Sequence, residues 1–308
     1  MIFDLAGRLR EIPYRLRAEH HLSTPIADVS IAWPRVYEWP PCGQVVVTLR
    51  DALSRAARLA HEDIPQVHKG VIIFRCDAHQ IVLDYSDYHN FVNEDALQPC
   101  DLYIKLQYRS EGYADLRIVP GGYPVTAKDF YRFYLPFRHW GNRRLDWDIV
   151  GRFGYTFQEQ IRRKAGEILN SVPGFSGTGK VRYSRFLREV ASSKLALHMP
   201  GNGPFTHRVA EFLGLGTCML SQRFATELHV PLLPGVHYVE IASDLSDLME
   251  RIFYYLAHDA ERNAIARAGR EYFDKYLHAD HLAAYYLRRI AELPPPPADE
   301  QRGRASGR

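Results

Sequence analysis

The stretch 180–241 constrains this chain more than any other. Two short apolar runs inside it, 194–199 and 217–221, read as buried strands. A loop of Gly, Asn and Pro at 200–204 separates the first run from a helical segment, 205–213. The helix stops at Gly214-Leu215-Gly216, and the chain turns at once into the second run. Strand, glycine turn, helix, glycine turn, strand is a βαβ unit. Such a unit sets a helix N-terminus beside the carboxyl end of a parallel strand. Open sheets bind ligands in that crevice, and the helix end favours anions.

The side chains around this turn fit an anionic ligand. Gly201, Asn202 and Gly203 let the backbone come close to a diphosphate and offer N–H groups to it. Thr206, His207 and Arg208 stand at the helix start, where donors and positive charge meet an anion. For His207 the ordinary alternative is a capping or surface residue. Glu211 lies further along the same helix, where a carboxylate can accept from two vicinal ribose hydroxyls. Its ordinary alternative is a solvated helix glutamate.

The order SSKLALHMPGNG, THRVAEFLGLGTCMLS, LPGVHYVEI resembles the donor-binding half of GT-B glycosyltransferases. It is most similar to the group-1-like C-terminal domain of spore-maturation-type and exostosin-type enzymes. The likeness covers about the last half of the chain. It implies two Rossmann-like α/β domains facing across a cleft and transfer of a sugar from a nucleotide-diphosphate sugar to a glycan or small-molecule acceptor. It implies that Glu211, in the pattern Arg208-Val-Ala-Glu211-Phe-Leu-Gly214, meets the donor ribose. It implies that Arg152, just after the first strand of the donor half, neutralises the leaving diphosphate, so that no metal and no separate cofactor are needed. The family often carries a second acid near Gly203, and this chain has none there. A nucleotide- or glycan-binding module without catalysis is the alternative reading.

Length sets the domain count. A chain of 308 residues suits two domains, and we expect 1–143 on the acceptor side, 144–292 binding the donor, and a disordered tail at 293–308. The linker is expected at 140–146. A net charge of +3 is too small to argue for nucleic acid. Four scattered cysteines without a CxxC disfavour a zinc ribbon and fit reduced thiols in a cytoplasm. No run nears the roughly 20 apolar residues of a membrane helix. Residues 2–19 read either as a basic amphipathic helix on an anionic membrane or as a surface helix packed on the domain.

The first half reads as short strands. The runs 26–33, 43–49, 71–74, 81–87, 101–108 and 116–125 are all strand-like, with a helix at 51–61. The aromatic, Arg-rich stretch 123–143 reads either as a ligand surface or as a segment packed in the seam between domains. Asp84, Asp87 and His89 end a strand where they would face the cleft, and they are the candidates for a general base toward the acceptor. Lys105 is unusual in an apolar strand, because a buried ammonium needs a partner.

One motif misleads. Residues 174–180, GFSGTGK, match the glycine and lysine spacing of a P-loop. A P-loop needs Ser or Thr next and a strand before it. Val181 follows instead, and the preceding segment reads as helix. A P-loop NTPase or sulfotransferase is therefore the weakest reading, although Lys180 remains able to meet a phosphate.

Overall fold

The computed structural model describes residues 29–36, 43–66, 70–141 and 145–295. The segment 2–19 and the tail from 296 onward lie outside the described residues, as does 142–144 of the expected linker.

The first lobe runs β1 Ser30–Pro34, α1 Gly43–Ala56, β2 Arg58–Glu62, β3 Val71–Cys76, β4 His79–Asp84, α2 Glu94–Leu97, β5 Leu102–Lys105, β6 Tyr108–Arg109 and β7 Ile118–Pro120. Its six-stranded sheet has the order β2-β1-β3-β4-β5-β7. The pairs β1 with β2, β4 with β5 and β5 with β7 are parallel, while β3 runs antiparallel to both its neighbours. Both faces of the sheet are apolar, as a sheet covered on both sides requires. Ile72, Phe74, Ile81 and Leu83 pack into one core, and Val71, Ile73, Val82 and Tyr103 into the other.

The second lobe carries α3 Lys128–Gly141, β8 Trp147–Val150, α4 Glu159–Asn170, α5 Tyr183–Ala191, β9 Ser193–Leu197, α6 His207–Leu215, β10 Cys218–Gln222, β11 Thr226–Glu227 and β12 Val239–Ile241. Helices α7 Leu248–Ala257 and α8 Asp259–Tyr272 follow, then a π-turn at Phe273–Leu277 and α9 Ala279–Ala291. The sheet order is β12-β10-β9-β8, all parallel. No helix among the described residues is long and apolar enough to cross a membrane.

Two readings of the first half need correction. The run 43–49 is helix, not strand, and the helix expected over 51–61 ends at Ala56 and gives way to β2. The valines invite a strand, but Val45, Val46, Leu49, Ala52 and Leu53 recur at helical spacing and are all buried. Burial of that stripe outweighs the β-preference of three valines.

The lobes share one continuous core. Helix α3, built from the aromatic stretch, packs against α5 and α6. Phe130 and Tyr134 stack 5.2 Å apart within it, and Arg138 pairs with Asp274 at 2.6 Å and donates to the Gly214 carbonyl. Gly214 is a contact point and not the helix end. A Cβ there would stand 2.6 Å from the Phe130 ring, whereas Gly216, at φ +76°, is the left-handed residue that ends α6. Helix α9 returns to the first lobe and lies along α1, with Arg55 paired to Asp280. Tyr285 and Tyr286 donate to the carbonyls of Pro120 and Gly121 at 2.8 and 2.7 Å. Strand β6 pairs antiparallel with β11 across the seam. The side-chain amide of Gln107 grips the Phe205 backbone in both directions, donating to its carbonyl at 2.7 Å and accepting from its N–H at 3.3 Å.

Candidate active site

The carboxyl end of β9 and the segment just past β8 open on a cavity of about 410 Å³ between the lobes. Asp87 and Tyr123 enter it from the first lobe. Lys180, Gly201, Asn202, Gly203, Thr206, His207 and Arg208 line it from the second. His89 lines an adjoining cavity of about 250 Å³ that shares the 201–203 loop.

The loop is held from beneath by a residue that sequence reading passed over. Arg162 sits on the buried face of α4, in line with Ala165, Gly166 and Leu169. It donates to the Pro200 carbonyl at 2.6 and 3.0 Å, to Met199 at 3.3 Å and to Gly154 at 2.7 Å. It is 8% exposed, and among the described residues it has no carboxylate partner. Burial and the nearby Arg208 both pull its pKa down. A cation in the buried stripe of an amphipathic helix is the sequence signal that marks it.

The start of α6 is left open. Thr206 is its N-cap, in extended backbone, yet its side chain makes no capping bond. It turns instead to His198, whose Nε2 lies 3.1 Å from its hydroxyl. The Thr206 carbonyl accepts from the Val209 N–H at 3.0 Å, but its side chain caps neither the His207 nor the Arg208 amide. Burial pushes the His207 pKa down against the pull of Glu211 and Asp87, and Arg208 adds to the fall. Arg162, His207 and Arg208 thus crowd one cavity wall, at the positive end of a helix.

Two expected donor-site residues are already engaged. Glu211 is completely buried, does not line the cavity, and has both carboxylate oxygens occupied. Tyr183 donates to Oε1 at 2.6 Å and Arg208 to Oε2 at 2.7 Å. Its place behind Arg208 does not suit the ribose contact that the resemblance implies. It fixes Arg208, which also lies 3.8 Å from the centre of the Phe186 ring. Arg152 touches the cavity, but its guanidinium binds Glu189 at 2.8 Å and the carbonyls of Ser176 and Thr178 at 2.5 and 2.6 Å. It braces the 174–180 loop and has little left for a diphosphate. That loop follows helix α4, and it meets β8 at the bridge from Phe175 to Ile149 and where the Gly174 carbonyl accepts from Asp148, so a helix stands where a P-loop needs a strand.

The three base candidates separate. Asp84 is buried in an ion pair with Lys105 at 2.7 Å, and Tyr103 and Ser86 donate to it at 2.8 and 2.6 Å. Asp84 is thus the partner that Lys105 required, and the pairing removes it from the cleft. Asp87, beyond the strand end, faces the cavity. Burial pushes its pKa up, against an Asn202 side-chain hydrogen bond and the charge of His207. A carboxylate with a raised pKa in a cleft suits proton abstraction. Among the described residues no three His, Cys, Asp or Glu side chains are grouped to hold a metal ion.

Comparison with known proteins decides the family. The model of the Glycosyl transferase-like family matches residues 126–288, more than half of the chain. The chain belongs to this glycosyl transferase-like family. The match is to the general family and does not distinguish a spore-maturation-type or exostosin-type subtype. A 65-residue segment is 42% identical to Protein O-glucosyltransferase 2 of Danio rerio, spanning 20% of this glycosyl transferase-like chain and only 13% of that protein. HepE of Anabaena, solved in complex with UDP-glucose, overlaps at a TM-score of 0.40 and 11% identity, covering 64% of this chain and 65% of HepE. A glycosyltransferase of Rickettsia africae overlaps at 0.44 and 9%, covering 91% of this chain and 80% of that one.

Proposed function

We propose that this protein is a glycosyltransferase that moves a sugar from a nucleotide-diphosphate sugar to the hydroxyl of an acceptor. The observation that carries the reading is the wall of the inter-lobe cavity. Arg162, His207 and Arg208 crowd there beside a helix start that its cap side chain leaves unmet, and burial together with the charge of Arg208 pulls the Arg162 pKa down. A diphosphate placed there relieves that repulsion and satisfies the open amides. Lys180 adds a mobile cation from the rim.

The reaction follows from the two sides of the cleft. Asp87 takes the proton of an acceptor hydroxyl. The acceptor oxygen bonds to the anomeric carbon as the bond from that carbon to the diphosphate oxygen breaks. The diphosphate leaves with the electron pair, and its growing charge meets the cations and helix amides already in place. Glu211 acts at one remove by holding Arg208.

Thermal denaturation against a panel of nucleoside diphosphates tests the donor half. Binding at about 100 times Kd stabilises by about 2.7 kcal/mol. We expect at least one nucleoside diphosphate to raise the melting temperature of the wild type, and Arg208→Ala to abolish that rise. A panel without any shift sinks the reading. Binding without turnover over a range of donors and acceptors reduces it to a binding module.

A further inference from the structure

A chain of hydrogen bonds runs beneath the cavity, and its direction is set at one end. The Ser221 hydroxyl lies 2.9 Å from the Gln222 carbonyl, a group that only accepts. Ser221 has one hydroxyl proton, and it is used there. His198 Nδ1 stands 2.9 Å from the same Ser221 oxygen, which has only lone pairs left to offer. Nδ1 therefore carries the ring proton. His198 is 1% exposed, and burial holds the ring neutral with its pKa pushed down to about 3. A neutral ring protonated at Nδ1 has a bare Nε2. That nitrogen lies 3.1 Å from the Thr206 hydroxyl, so Thr206 gives its proton to His198. Thr206 keeps only lone pairs, on a residue that lines the cavity.

We propose that Thr206 is a specificity-determining acceptor that reads a hydroxyl of the transferred sugar, and is not a donor to the phosphates. Ionised phosphate oxygens accept hydrogen bonds and give none, whereas every sugar hydroxyl has a proton to give. The assignment rests on the donor-site reading above. It reverses the role that a threonine at a helix start invites, because the direction is imposed from Gln222 through Ser221 and His198.

Two measurements test it. Nitrogen NMR on histidine-labelled protein reports the tautomer, and we expect His198 to carry its proton on Nδ1. Calorimetry then compares UDP with UDP-glucose and GDP with GDP-mannose. Thr206→Val should leave nucleoside diphosphate affinity within about twofold and weaken a sugar conjugate about fivefold or more, on the scale of one lost hydrogen bond. Thr206→Ser should restore it. A proton on Nε2, or equal weakening of diphosphate and conjugate, overturns the proposal. If the wild type binds none of the four probes, the donor-site reading falls, while the tautomer still decides the direction of the chain.

Discussion

Asp87 is kept where its ionised form is disfavoured, because burial outweighs the help it gets from Asn202 and His207. A carboxyl whose folded pKa is raised binds its proton more tightly in the folded protein. The stability from that proton is whole below the unfolded value near 3.9 and is lost as pH rises through the folded value. Asp87→Asn should therefore raise the melting temperature at pH 7, and the gap from the wild type should close in acid. The same variant should cut transfer by about 10²–10⁴-fold. Denaturation scans and initial rates at matched pH check both halves. The proposed base would hold this position despite that cost, and a merely structural aspartate would show the opposite sign. Much of this wall was legible in the sequence. Gly201 to Arg208 are neighbours along one loop and one helical turn, so they could hardly avoid one another. Asp84 and Asp87 show where legibility ends. Three residues apart, one points inward from the strand to Lys105 and the other lies past the strand end. Arg152 and Glu211 fail for a related reason. Sequence fixes where a charge sits along the chain, but not which opposite charge reaches it first.

At the scale of elements, the 201–203 loop is seated against the other lobe by the lack of a side chain. A Cβ on Gly203 would stand 2.6 Å from the Gln107 side-chain nitrogen and 2.8 Å from the Asp87 carbonyl. Gly203→Ala must push the loop away from both. A shift near 1 Å at a reacting centre can cost about 100-fold in rate. We expect a fall of that order in kcat with little change in thermal stability, read from steady-state kinetics and a melting curve. The strands flanking this loop were plain in the sequence, because their apolar runs end in glycine turns. Helix α1 was not. Its three valines resemble a strand, and the helical spacing of its buried residues prevails once helix α9 packs along it. That partner lies in a remote part of the chain, beyond the reach of a local pattern.

For the whole molecule, the question is what fixes Asp87 relative to the wall opposite. Beside the hydrogen bond from Asn202 to Asp87, Gln107 supplies a two-point bridge, with both ends of its amide on the Phe205 backbone. Gln107→Leu leaves two buried backbone groups unpaired, at about 1–3 kcal/mol each. It should lower the melting temperature and reduce turnover more than nucleoside diphosphate affinity, since the proposed phosphate contacts all belong to the second lobe. Equal losses in both would show that the lobes act as one body at the donor.

Helix α9 has a consequence for synthesis. It covers α1, yet 225 residues separate the paired Arg55 and Asp280. At roughly 5–20 residues per second, that interval is about 10–45 s. Throughout it the growing polypeptide displays an oily helix surface with its natural cover still untranslated. Ribosome-bound intermediates of this protein should accordingly be clients of holding chaperones until the covering helix emerges.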